Sequence, residues 1–212
     1  MRKADLATIL RVLLVFLVAY LVILKINPIY SILILIIAFL LDGVDGYLAI
    51  REASSNKISF LMYIKTVKGD SKYRKEIKEL KESISKKYPH GPRMDVAGDR
   101  AVEYALWAVF TYLNILPLFI ILIVIFRHSF VDGLMAAKGT SNKMKSKLAK
   151  IIYSSNISRG GVNVVKFVTF SYLILVYTSK FPIIYGYILT GILLLYIILR
   201  GVAEVYEVFQ NE

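Results

Sequence analysis

The chain contains no cysteine. Disulfides, thiolate catalysis and cysteine-ligated metals are therefore excluded, and the redox compartment cannot be read. Only two histidines occur, His90 and His128, which argues against a structural zinc site. Acidic residues are scarce: 15 Asp and Glu stand against 27 Lys and Arg, a formal charge of +12. Long polar stretches are also scarce. With 57% hydrophobic residues and a mean hydropathy of +0.61, the 212 residues are too apolar for an ordinary soluble domain. A basic chain invites a nucleic-acid reading. Here the basic residues fall between apolar runs and form no soluble face, so no nucleic-acid partner is expected. Anionic lipids and phosphate-bearing substrates account for them better. No cleavable signal peptide is expected, because the first apolar run is long and lacks a small-residue cleavage site.

What remains is an all-α, integral-membrane pattern. Six runs approach the roughly 20 apolar residues a bilayer requires: residues 6–24, 29–50, 94–113, 115–135, 162–178 and 182–205. Pro28, Pro92, Pro117 and Pro182 lie at or near their starts, where proline is tolerated. The connections alternate in charge. Arg2 and Lys3 precede the first run, residues 52–90 are rich in Lys and Arg, and 138–159 carry six more cations. The other connections carry only Lys25 and Lys180. The positive-inside rule then places both termini and the two basic loops in the cytoplasm. One membrane domain over 1–212 is expected, interrupted by a cytoplasmic insert at 52–90.

The scarce acids cluster. Asp42 and Asp45 close the second run, and Asp95 and Asp99 open the third. Spacings of three and four residues put each pair on one helix face. In the predicted topology all four meet at the cytoplasmic end of a helical hairpin. Intramembrane carboxylates mark function by default. Four of them without matching cations point to hard divalent ions, which take oxygen ligands.

The stretch Asp42-Gly43-Val44-Asp45-Gly46-Tyr47-Leu48-Ala49, followed by Gly91, Asp95 and Asp99 at the spacing G-x-x-x-D-x-x-x-D, resembles the signature of the CDP-alcohol phosphotransferases, integral-membrane enzymes of phospholipid synthesis. Two features depart from that pattern. Ile50 separates Ala49 from Arg51, and residues 52–90 intervene where the family has a short spacer. The resemblance implies two divalent cations, Mg²⁺ or Mn²⁺, held by Asp42, Asp45, Asp95 and Asp99, with Asp99 also the general base. It implies that Gly46, Ala49, Arg51 and Gly91 border the nucleotide. The donor would be a CDP-linked lipid, the acceptor a small polar alcohol, the surroundings membrane lipids and the assembly a homodimer.

Leu6-Ala7-Thr8-Ile9-Leu10-Arg11, and the segment from Arg127 through Val131, Gly133 and Leu134, resemble the phosphatidylglycerophosphate synthase branch. Glycerol 3-phosphate is thus the leading acceptor, with inositol phosphate and serine as alternatives. A phosphorylated acceptor needs cations, and Arg127, Arg159 and Lys166 are candidates. Arg11 and Arg127 also read as helix-end residues that snorkel. A divalent-cation transporter is the competing class, disfavoured because the acids sit at one face instead of along a pore. In the insert, residues 73–88 read as a helix with Ile77, Leu80 and Ile84 on one side and alternating Glu and Lys elsewhere. A solvated charged hairpin is favoured there over a lid or a headgroup-bound helix.

Overall fold

The computed structural model describes residues 2–54, 59–60, 63, 79–80, 83–84, 87–88, 90–138 and 156–210. Among them there are six long α-helices and no strand: α1 (Lys3–Ile23), α2 (Pro28–Ala53), α3 (Gly91–Tyr112), α4 (Leu118–Lys138), α5 (Asn156–Ser179) and α6 (Ile183–Gln210). The all-α architecture expected from the sequence is present. Five of the helices are long and apolar enough to cross a membrane. The exception is α3, which carries Asp95, Asp99, Arg100 and Glu103. Large apolar side chains such as Leu40, Phe126 and Leu195 are more than half exposed on these helices. Rings and aliphatic groups turned outward in this way suit a lipid surround, and the chain is an integral membrane protein.

Local chemistry fixes the helix ends. At the end of α1 the Lys25 amide donates to Val22 O (2.9 Å) and the Ile26 amide to Leu21 O (3.1 Å), with Lys25 left-handed at φ 54°. Asn114 closes α3 in the same way, donating to Thr111 O while Ile115 donates to Phe110 O, at φ 57°. Both are Schellman endings, which satisfy the carbonyls that a terminating helix leaves open. The start of α2 is capped by Asn27, whose Oδ1 accepts from the Ile29 amide at 3.0 Å. Pro28 occupies the first helical position, where its missing N–H costs nothing.

The chain divides into two compact units. The first comprises residues 1–18 and 33–103, the second 19–32 and 104–212. In the first unit Ile84 packs with Ile50, and Leu80 and Tyr63 lie against them. Of the three aliphatic positions expected on the insert helix, Ile84 therefore touches α2, and Leu80 packs against the pair it forms with Ile50. Ile77 lies outside the described residues. The second unit centres on Trp107, Phe110 and Phe170, all fully buried. The Trp107 and Phe170 rings meet edge-on at 5.0 Å, and Phe110 stacks on Phe170 at 6.2 Å. Such aromatic pairs add to what burial alone supplies. Helix α6 packs against both α4 and α5.

Candidate metal centre

Three helices of the first unit each contribute a pair of polar residues on one face. Helix α1 presents Thr8 and Arg11, α2 presents Asp42 and Asp45, and α3 presents Asp95 and Asp99. Carboxylate oxygens of Asp42, Asp45 and Asp95 come within 4.8 Å of one another. The two acid pairs, 50 positions apart in the chain, are thus brought together as the sequence suggested. Asp45 is buried, whereas the Asp95 side chain is 55% exposed, so the cluster has an inner and an outer edge.

At the inner edge the Thr8 hydroxyl lies 3.2 Å from Asp45 Oδ2 and 3.2 Å from Ala4 O. A hydroxyl has one proton to donate, so the two acceptors share it. Arg11 enters from α1 with its side chain 4% exposed. Its Nη1 pairs with Asp42 Oδ1, and its Nη2 stands 2.9 Å from Asp99 Oδ1 and 3.8 Å from Asp95 Oδ1. Asp99 therefore stands on the Arg11 side, and the other three aspartates form the tight group.

Gly98 makes this approach possible. A Cβ there would collide with Thr8 Cγ2 and lie 3.2 Å from Arg11 Nη2. Alanine at this position should push α1 away from α3 and lower turnover at least tenfold. The measurement is initial rate in detergent on protein whose helicity matches the parent, and an unchanged rate would refute it.

The residues that the resemblance sets beside a nucleotide lie as follows. A Cβ on Gly46 would come within 3.1 Å of the Tyr63 Oη. The Tyr63 ring packs on Tyr47 at 5.8 Å, and Phe60 meets Tyr47 edge-on at 5.2 Å. Burial pushes the Tyr63 phenol pKa up, and the negative charges of Asp45 and Asp95 push it further. Ala49 is half-buried on α2, and the Arg51 guanidinium lies 6.0 Å from the Tyr47 ring. Gly91 faces Arg2, whose guanidinium fills the space a side chain would need and also stacks over Tyr88 at 5.0 Å.

Arg127 and Lys166 belong to the second unit. Arg127 Nη2 donates to Glu204 Oε2 at 2.7 Å, its Nε to Ile197 O at 3.1 Å, and its Nη1 lies 2.8 Å from His128 Nδ1. Lys166 is half-buried on α5. The Arg159 side chain lies outside the described residues.

The donor set fits hard divalent cations: three carboxylates from two helices, close enough to share an ion. What the sequence reading did not place at the site is the supporting layer of Thr8, Arg11, Gly98 and Tyr63, having named Thr8 and Arg11 only within a resembling segment and Arg11 as a snorkelling residue. Its one legible trace was an arginine inside an apolar run, three positions after a threonine.

A family model described as CDP-alcohol phosphatidyltransferase matches residues 1–57. The match spans α1, α2 and the first acid pair, and so the helices that supply Thr8, Arg11, Asp42 and Asp45. No curated protein and no solved structure matches it. The family consists of membrane transferases that move a phosphatidyl group from a CDP-alcohol and use divalent cations.

Proposed function

We propose that the whole chain acts as one membrane-embedded transferase domain. It would move the phosphatidyl group of a CDP-linked lipid to the hydroxyl of a small polar alcohol, releasing CMP. The observation that carries this reading is the convergence of Asp42, Asp45 and Asp95 in the unit that contains most of the matched residues. Asp42, Asp45 and Asp95 would hold the divalent ions, and Asp99 the outer edge of the same site. Bound there, such cations neutralise phosphate charge and make a nearby hydroxyl easier to deprotonate.

The chain's own residues divide the remaining work. The Asp99 carboxylate accepts the acceptor's hydroxyl proton. The freed oxygen bonds to the lipid-side phosphorus as the bond from that phosphorus to the CMP oxygen breaks, and CMP leaves with that electron pair. Gly46, Ala49, Arg51 and Gly91 border the nucleotide, with Tyr63 at the Gly46 notch. Thr8 orients Asp45.

Glycerol 3-phosphate is the acceptor we favour, on the strength of the Leu6–Arg11 and Arg127–Leu134 segments. Arg127 is already committed to Glu204 and a backbone carbonyl. Arg127, Arg159 and Lys166 are the cations we propose for the acceptor phosphate. The test is release of CMP from a CDP-linked lipid by purified protein across a panel of glycerol 3-phosphate, inositol phosphate and serine. Release with none of the three would remove the reading.

Orientation is proposed from charge alone, with both termini and the 52–90 and 138–159 connections in the cytoplasm and the protein acting as a homodimer. The absence of native cysteine makes the topology directly measurable. Single cysteines placed at Ser71 and Ser146 should react with an impermeant maleimide only after the cells are opened. Reaction of either in intact cells would invert the assignment.

A further inference from the structure

We propose that Arg11 is a built-in counter-cation that competes with the divalent ions and thereby sets the metal affinity of the site. The inference rests on the metal-centre reading above and concerns how that centre is regulated. Among the described residues, four aspartates and one arginine leave a formal excess of three negative charges in the cluster. Arg11 is the cation the structure places inside it, in ion-pair range of Asp42, Asp95 and Asp99.

Its position is unusual for a side chain that serves only as a hydrogen-bonded tether. The guanidinium is nearly fully buried, yet its Nε and Nη2 are buried atoms that make no hydrogen bond among the described residues. Arg11 Nη2 gains charge proximity to Asp95 and Asp99 without directional bonding. A buried guanidinium with unmet donors is retained at a cost. Proximity to several carboxylates offsets that cost, and the balance changes once another cation arrives.

Two of the three aspartates in the tight group, Asp42 and Asp95, are also partners of Arg11. A divalent ion on these carboxylates meets the arginine's charge at a few ångströms and must outcompete it for Asp42. Like charges this close in a partly dehydrated site repel strongly. Linkage makes the effect reciprocal: a group that stabilises the metal-free form weakens binding by the same factor. Arg11 therefore holds the helices α1, α2 and α3 together while the acids are bare, and it keeps the site from retaining metal too tightly. Gly98, without a side chain, lets α3 lie directly against Thr8 and the guanidinium.

Mn²⁺ binding, followed by electron paramagnetic resonance on detergent-purified protein, tests this without reference to turnover. Arg11→Gln removes the charge at similar length and should tighten Mn²⁺ binding about tenfold or more. Arg11→Lys keeps the charge and should stay within threefold of the parent. The melting temperature of Arg11→Gln should fall in EDTA and recover in Mn²⁺ by more than the parent gains. If the glutamine variant folds only with metal, it is purified in Mn²⁺ and its affinity read by competition with a chelator. Weaker or equal Mn²⁺ binding by folded Arg11→Gln would overturn the inference and leave the metal centre standing. Absence of Mn²⁺ binding by the parent protein would overturn the metal centre itself.

Discussion

Asp45→Asn is expected to abolish transferase activity while leaving the metal-free protein at least as stable as the parent. Asp45 is the buried member of the three-carboxylate group. Asparagine preserves the shape and removes the charge, so a cation held by this group would lose one of its three carboxylates. Even second-layer partners of a metal ligand change affinity or rate by about 10–100-fold, and loss of the ligand itself should exceed that. The effect on stability has the opposite sign. Without metal, Asp42, Asp45 and Asp95 repel one another, and among the described residues the close ion pairs of Arg11 run to Asp42, Asp95 and Asp99, with Asp45 attracted only from farther off. Removing one buried like charge should raise the melting temperature in EDTA by roughly 2–4 °C, the equivalent of about 1 kcal/mol for a chain of this size. Excess EDTA should silence the parent enzyme, with Mg²⁺ or Mn²⁺ restoring it. Thr8→Val, which removes the hydroxyl that serves Asp45, should fall between the two, with a loss of about 10–100-fold. Rate assays and differential scanning calorimetry on the same preparations decide the matter. An asparagine variant that keeps more than a tenth of parental activity contradicts the assignment.

The largest effect on stability is expected in the second unit, at Arg127 and Glu204. Their side chains are 11% and 5% exposed and meet at 2.7 Å. Truncating one partner strands a buried charge, which costs about 3–5 kcal/mol. Glu204→Ala should therefore lower the unfolding free energy by that amount. Replacing both, as in Arg127→Met with Glu204→Leu, should cost much less, because neither charge is then stranded. Reversible unfolding in mixed micelles gives the comparison. If the double variant is as unstable as the single one, the pair is not the source of the loss. The same experiment bears on function. A pair that serves structure leaves the Michaelis constant for a phosphorylated acceptor unchanged in any double variant that folds, whereas an acceptor-binding Arg127 would raise it.

The helices were legible because their apolar runs exceed anything a soluble core demands. Their limits shifted by a few residues for identifiable reasons. The fourth run was expected to begin at Ile115, but Asn114 turns left-handed and Pro117 delays the helix to Leu118. The acids were legible because carboxylates in an apolar chain are costly and these four keep helical spacing. Thr8 and Gly98 were not legible as site residues. Their importance lies in an approach of α1 to α3, and a single sequence gives the periodicity of each helix without saying which faces meet. Residues 52–90 illustrate the same gap. A helix with three aliphatic positions among Glu and Lys reads as solvated, and only the location of Ile50, Ile84 and Tyr63 shows that α2 is where that apolar edge finds its cover.

Lys25 and Lys180 sit in the left-handed region at φ 54° and 56°, where residues other than glycine are strained by about 1–2 kcal/mol. They are also the only cations in the short connections on the side that the charge rule assigns to the outside. A lysine is thus kept at two positions where glycine would fit the backbone better and would sharpen the asymmetry that orients the chain. Each lysine ends a helix, where a cation meets the negative pole of the helix dipole, and Lys25 Nζ also lies 4.9 Å from the Tyr177 ring centroid. In the orientation proposed from charge, these two lysines are the price of firm helix ends: the insertion machinery would have to carry both charges across the bilayer. Lengthening the chain or adding charge is therefore far safer at the basic connections than at these turns, which have no slack to absorb it.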